Sequence, residues 1–418
     1  MLLSQHNNLI LECPLQDLAP KLCFVFLSLL YSQMSFSSAP LLASNSSFES
    51  YKQNTEREFA QAKDQFRLYK QQLLAAFDEY QFKTDQVWGR QHRARPNKKT
   101  WISYQGDLNH RSIVDFENGV VRVEVAIDKD RKIGKPQAIR DLEHSILTTM
   151  NLGQDKRSIL KLAKQPVAKP SGPAVLSKLI ADDRGQPLSK SDYKTQAANL
   201  AARARSSTIK GEDGKSRLLY SAQFRLVPDH IRKRAKQFQP TVNKYAAEQK
   251  VPAELVFAII ETESMFNPVA RSAVPAFGLM QLVPSAGALE AYRYLYNKNK
   301  IVTDQYLYNP SNNIRLGAAY LNQLYYKYMK DIKDPKARLW ASIAAYNTGP
   351  SNVFRTFAGK YSRSRHGNWG RWKASALGAI NRMSSAQVFD FMYRNLPYRE
   401  TRHYIKNVRS RMNKYQAI

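Results

Sequence analysis

Glu263 closes an apolar helical stripe, an uncommon place for a carboxyl. Val256, Ile259 and Ile260 recur at helical spacing, and position 263 lies three and four residues beyond the last two, on their face. An inward carboxyl has two readings. It can be a structural acid paired to Arg or Lys. Without such a partner, burial raises its pKa and lets it keep a proton at neutral pH, as a general acid at a glycosidic oxygen must. General acid–base catalysis of that kind is worth roughly 10²–10⁴ in rate. Glu261, two positions back, projects elsewhere and is expected to be solvated.

The neighbouring residues set the frame for Glu263. Pro252 and Glu254 suit a first helical turn, and Asn267-Pro268 disfavours continuation past Phe266. A short loop around Arg271-Ser272-Ala273-Val274-Pro275 follows. Gly278 permits close backbone approach, and Pro284-Ser285 reads as a break and a helix cap. The expectation is a helix end, a lining loop through Leu279-Met280-Gln281 and a second helix.

Several ordered motifs carry a resemblance. Glu263-Ser264, Asn267-Pro268, Ser272, Gly278-Leu279-Met280-Gln281 and Ala345-Tyr346-Asn347-x-Gly349-Pro350 resemble the soluble-lytic-transglycosylase catalytic domain, of the goose-type lysozyme superfamily. Asn313-Ile314-x-x-Gly317-x-x-Tyr320-Leu321 and Leu396-Pro397-Tyr398-x-Glu400-Thr401-Arg402-x-Tyr404 resemble two further stretches of it. The resemblance runs from near Pro228 to the end. It implies that Glu263 is the single catalytic acid and base. It implies that Ser272 contacts the N-acetyl group of the muramic acid, that Gln281 lines the sugar cleft, and that Tyr346 orients Glu263. Asn347 would shape the turn, and Glu400 would lie on the cleft wall. Val283 stands where the family often carries Met, and Pro275 replaces a commoner small or polar residue.

Ordinary glycosidases use two carboxylates. No convincing second acid lies near Glu263 in sequence, and the family reaction does without one. Glu263 would protonate the oxygen between N-acetylmuramic acid and N-acetylglucosamine. The 2-acetamido group would stabilise the cationic centre, and Glu263, now a base, would deprotonate the sugar's 6-hydroxyl to close a 1,6-anhydro ring. No metal or cofactor is needed. A hydrolytic muramidase of the same fold and a non-catalytic basic wall-binding protein are the alternatives.

The bulk composition agrees with a wall polymer as partner. Lys and Arg number 64 against 34 Asp and Glu, a formal charge of +30 over 418 residues. That predicts attraction to polyanions. The charge is spread along the chain without a zinc finger, recognition-helix signature or phosphate loop, so nucleic acid is not expected. An anionic wall, or an outer-membrane or other anionic surface, serves the charge equally well. The two cysteines, Cys13 and Cys23, make a disulfide framework improbable, and the seven histidines lack metal-ligand spacing.

Leu22 to Leu30 is apolar after Lys21, and Leu41-Leu42-Ala43 is a plausible cleavage neighbourhood, so export to the periplasm is expected. Residues 48–91 read as a long amphipathic helix. From Trp101 the period becomes two, with a hairpin signal at Glu117-Asn118-Gly119 before Val121, Val123, Val125 and Ile127. Helices are expected over Asp141–Leu152 and Tyr193–Arg205, and a strand over Leu218–Val227. Trp101 to Val125, and the strand before Pro228, resemble the N-terminal domain of one subgroup of membrane-bound lytic transglycosylases. That subgroup is lipid-anchored, but neither Cys13 nor Cys23 follows the small residues of a lipobox. The expected organisation is a signal segment over 1–45, an α+β domain over 46–228 and an all-α, lysozyme-like catalytic domain over 229–418. The basic strands of the first domain suggest that it holds glycan or a partner protein while the second cuts.

Overall fold

The computed structural model describes residues 45–131, 133–167, 169, 171–272, 276–359 and 369–416. The expected signal segment, both cysteines and Pro275 lie outside the described residues. Two compact units form, one holding 41–322 with 407–418, the other holding 323–406.

The first unit opens with a 44-residue helix, α1 (Asn45–Trp88). Trp88 anchors its end: the indole is buried, and its Nε1 donates to the Leu108 carbonyl at 2.7 Å. The Arg111 guanidinium lies 3.8 Å over the indole ring. A five-stranded antiparallel sheet follows, built from β1 (Thr100–Gln105), β2 (His110–Asp115), β3 (Val120–Asp128), β6 (Arg205–Lys210) and β7 (Ser216–Arg225), in the order β1-β2-β3-β7-β6. The β2–β3 hairpin turns where the sequence predicts it. Asp115 Oδ1 accepts from the Glu117 and Asn118 amides, and Gly119 takes φ 63°. Alternation in β3 buries Val121, Val123 and Val125 against α2 (Lys135–Asn151), which packs on α4 (Tyr193–Ala202). Helix α2 begins six residues before the expected Asp141, because Pro136 sits in its first turn and the chain is helical from there. A short helix, α3 (Ile159–Lys164), packs on α1, and a small ribbon pairs β4 (Gly153–Gln154) with β5 (Ser171–Ala174).

After β7 the described chain is helical, with only isolated bridges: α5 (His230–Glu248), α6 (Ala253–Ser264), α7 (Gly287–Tyr296), α8 (Asp304–Leu307) and α9 (Pro310–Asn322). This is the expected class, a helix-and-antiparallel-sheet region followed by an all-helical one. His230 opens α5 buried, and its Nδ1 has no hydrogen-bond partner among the described residues. Burial, reinforced by Arg234, pushes its pKa down from 6.5 to about 4. The unfolded imidazole gains its proton below the ordinary value while the folded one stays neutral. Stability from this group is therefore complete above pH 6.5 and is lost between 6.5 and about 4. Urea titrations near pH 7 and near pH 4.5 should show His230→Gln losing roughly 1–3 kcal/mol less than the parent chain across that interval.

The second unit holds a π-helical turn (Gln323–Tyr328), then α10 (Pro335–Thr348), α11 (Pro350–Phe357), α12 (Trp369–Ile380) and α13 (Ser385–Asn395). Ser384 caps α13 through a reciprocal bond pair with Gln387. The last helix, α14 (Arg399–Tyr415), starts in this unit and ends in the first.

Candidate active site

Helix α6 is buried on every side from Leu255 to Ser264. It stops abruptly, because Met265 and Phe266 take left-handed conformations, φ 49° and 59°, although neither is glycine. Such residues cost of order 1–3 kcal/mol each and persist only where their surroundings over-determine them. Here Arg234 of α5 supplies much of that constraint. Its Nε donates to the Met265 carbonyl at 3.1 Å and its Nη2 to the Phe266 carbonyl at 2.8 Å. The guanidinium lies 3.7 Å over the Phe116 ring, and full burial pushes its pKa down to about 9, which leaves it charged at neutral pH. A cation at a helix C-terminus also complements the helix dipole. Phe266 itself packs among Phe238, Phe257 and Tyr415.

Glu263 sits two residues before this stop, with its side chain 8% exposed. It is buried, as its spacing predicts, although on a helix covered all round Glu261 is buried equally. Oε2 lies 3.5 Å from Nζ of Lys98, which is 30% exposed on the segment leading into β1. At that length the contact is a loose ion pair rather than a short hydrogen bond.

Glu261 departs from expectation. It is buried, not solvated: its carboxylate accepts from Arg411 Nε at 3.2 Å, from Lys414 Nζ at 2.9 Å and from the Tyr415 hydroxyl. Burial, the Glu261 charge and that hydrogen bond push the Tyr415 phenol up. The cause is the end of α14, which covers the face of α6 that spacing alone would leave to water. Glu261 still faces away from chemistry, because its oxygens are committed to structure.

The segment after α6 is bound back onto it. Ser264 Oγ donates to the Leu279 carbonyl at 2.7 Å, tying the Glu263 turn to the Gly278–Gln281 stretch. Asn313 of α9, fully buried, holds the same stretch from the other side. Its Oδ1 accepts from the Met280 amide at 2.8 Å, and its Nδ2 donates to the Phe277 and Leu307 carbonyls, both at 2.9 Å. Gly278 is required there: at φ 76°, a Cβ would come within 2.3 Å of both Asn313 Nδ2 and the Leu307 carbonyl oxygen. Gly317 admits the Met280 sulfur, which would lie 2.2 Å from an added Cβ.

Gln281 is buried with φ 48°. Its Nε2 donates to the Ala270 and Gly278 carbonyls at 3.2 and 3.0 Å, which fixes the amide and leaves Oε1 without a hydrogen-bond partner among the described residues. That acceptor has almost no exposed surface, so a ligand N–H or O–H reaches it only if the side chain shifts. Ser272 is half-buried in the same loop, its amide donating to the Ala276 carbonyl at 3.2 Å. Glu263, Ser272 and Gln281 thus share one bonded framework in the first unit.

Tyr346, Asn347 and Glu400 belong to the second unit. Tyr346 and Asn347 are half-buried on the last turn of α10, which ends at Gly349, φ 85°. Asn347 Oδ1 accepts from the buried Thr401 hydroxyl at 2.6 Å, which ties that turn to the first turn of α14, where Glu400 is exposed. Among the described residues no group of three or more His, Cys, Asp or Glu could hold a metal ion. Three residues of this framework carry no single-site signal in the sequence: Lys98, Arg234 and Asn313. Asn313 stands in a motif that resembles the family, but its three buried bonds emerge only in three dimensions.

Comparison with known proteins places this geometry. The Transglycosylase SLT domain model matches residues 240–367, and the model for the N-terminal domain of membrane-bound lytic murein transglycosylase C matches 63–237. Membrane-bound lytic murein transglycosylase C of Salmonella arizonae is 29% identical over 340 residues, 79% of this chain and 86% of that one. The Serratia proteamaculans protein of the same name is 29% identical over 386 residues, 90% and 97% of the two chains. Among solved structures, the 70 kDa soluble lytic transglycosylase of Escherichia coli is 26% identical over 45% of this chain and 25% of that one, with a TM-score of 0.32, too low to add weight. Glu263 falls inside the first matched domain and Lys98 inside the second. The chain carries both domains in the order of these relatives, and domains and relatives together indicate a lytic murein transglycosylase, a lyase that cleaves peptidoglycan.

Proposed function

We propose that this chain cleaves the β-1,4 bond between N-acetylmuramic acid and N-acetylglucosamine and leaves 1,6-anhydro-muramic ends, with Glu263 as acid and then base. The observation that carries the proposal is the buried carboxyl of Glu263, two residues before a braced helix end inside the matched catalytic domain. Glu261, its nearest carboxyl in sequence, is committed to Arg411, Lys414 and Tyr415 and is not available as a second catalytic acid. One carboxyl suffices if the substrate's 2-acetamido group stabilises the cationic centre. Glu263 then takes the proton of the 6-hydroxyl, which attacks the anomeric carbon. The proton count returns to its start and no water enters.

In this scheme Gln281 lines the sugar cleft, and Ser272 meets the N-acetyl group. For Tyr346, Asn347 and Glu400, which belong to the other unit, the orienting, turn-shaping and wall-forming roles are those that the family resemblance implies. In the free protein Lys98 favours the carboxylate, which opposes the first step until an entering sugar displaces it. Lys98→Met should move the alkaline limb of the pH–rate profile upward, by roughly one pH unit or less for a half-exposed pair. The kcat/KM profile on purified wall, which reports the free enzyme, checks this, and an unmoved limb would mean that Lys98 does not act on Glu263 before substrate binds.

The substrate is the peptidoglycan strand, and export to the periplasm follows from it. The relatives are named membrane-bound, and among the described residues no helix is long and apolar enough to cross a membrane. Association with an anionic or outer-membrane surface through the +30 charge is consistent with both. Mass spectrometry of digested wall tests the proposal. Muramic ends one water lighter than hydrolysed ends are expected, whereas reducing ends alone would make the chain a muramidase.

A further inference from the structure

A cavity of about 960 Å³ opens beside the turn that leaves α6, on the side of Phe266 and Pro268. Residues from α5 form one wall, and the β4–β5 ribbon with the segment through Leu188 forms the other. No Asp or Glu lines it among the described residues. Lys156, Lys178 and Lys236 line it, exposed and without a carboxylate partner among the described residues. By contrast, the nearby Lys233 is held by Asp229 at 3.1 Å. Lys178 also sits at φ 60°, a strained conformation that places a cation on the rim. The inner wall is apolar: Phe238 and Phe266 stack at 6.4 Å, next to Leu179 and Val175.

We propose that this cavity binds the carboxylate-bearing peptide stems of the wall polymer, a site separate from the sugar-cleaving residues. The proposal rests on the wall-cleaving reading above. A neutral, hydroxyl-rich sugar is poorly matched to a lining whose charges are all cationic. A peptide stem brings several carboxylates and methyl groups together, which the lysine rim and the phenylalanine wall complement. Its volume is that of a small-ligand site rather than a surface dimple. Its position gives it a consequence. A stem seated against Phe266 adds packing to the same left-handed turn that Arg234 holds, so peptide occupancy braces the end of the helix carrying Glu263.

The test uses the full chain and the double charge reversal Lys156→Glu with Lys236→Glu, two exposed positions outside the catalytic framework. Calorimetric titration with the free tripeptide L-alanyl-γ-D-glutamyl-diaminopimelate should show binding to the parent chain. The reversal should weaken it at least about tenfold. Both proteins should cleave peptide-free glycan at the same rate, and only the parent should prefer peptide-bearing strands. Equal tripeptide affinity in the two proteins would overturn the proposal. So would displacement of the tripeptide by equimolar inorganic phosphate, which would mark a simple anion site. If the tripeptide binds as expected but no anhydro ends form, the catalytic reading fails and the peptide site stands. Anhydro ends formed without any peptide preference reverse that outcome.

Discussion

Glu263→Gln should abolish clearing of purified wall while leaving the fold intact. The amide is nearly isosteric and removes a buried charge, so unfolding midpoints should change little. It can neither donate nor recover a proton, so the rate should fall by roughly 10²–10⁴ or more. Binding of the variant to sedimented wall should persist, because the lysine-rich surface is untouched. Turbidity and pull-down assays on the same preparation separate the two effects. Clearing at the parent rate would remove Glu263 from the reaction. Loss of binding together with clearing would instead point to a folding defect.

The second large effect is expected away from any ionisable group. Asn313→Leu keeps the branched shape of a fully buried side chain, with bulkier ends, but removes three hydrogen bonds at once, to the Met280 amide and to the Phe277 and Leu307 carbonyls. Each buried group left unpaired costs about 1–3 kcal/mol, so a loss of roughly 3–5 kcal/mol is expected in urea unfolding. Activity should fall more than stability alone predicts, because the same bonds set the Gly278–Gln281 stretch against Ser264 and hence against the Glu263 turn. A loss below about 1 kcal/mol would show that this stretch keeps its shape without Asn313.

Much of this site is legible in the sequence, for identifiable reasons. Glu263 follows a local rule: three and four residues beyond Ile260 and Ile259 is the same helical face whatever packs there. The β2–β3 hairpin is equally local, since Asn118-Gly119 suits only a few turns. Glu261 fails the same rule. Periodicity separates inside from outside only while one face meets solvent, and α6 has no such face. What covers Glu261 comes from Arg411, Lys414 and Tyr415, far along the chain. Strand β6 escapes for the opposite reason. It is a polar edge strand with only Ile209 buried, so it shows no alternation. Lys98 and Arg234 resemble any other of the 64 lysines and arginines in the chain. The left-handed pair Met265-Phe266 carries no glycine to announce it, because tertiary contacts rather than sequence preference hold it there.

The Lys98 contact bears on the whole mechanism. A partly exposed ammonium stands 3.5 Å from Glu263. Such a pair favours the ionised acid, whereas the first step needs the protonated one. The two are compatible if an entering sugar displaces the lysine and dries the carboxyl. The protonation state of Glu263 with an unreactive glycan bound therefore decides the matter. Carbon-13 NMR of side-chain-labelled glutamate, assigned by difference with Glu263→Gln, reports it directly. The account predicts a protonated Glu263 at neutral pH in that complex; an ionised carboxylate still paired with Lys98 would contradict it.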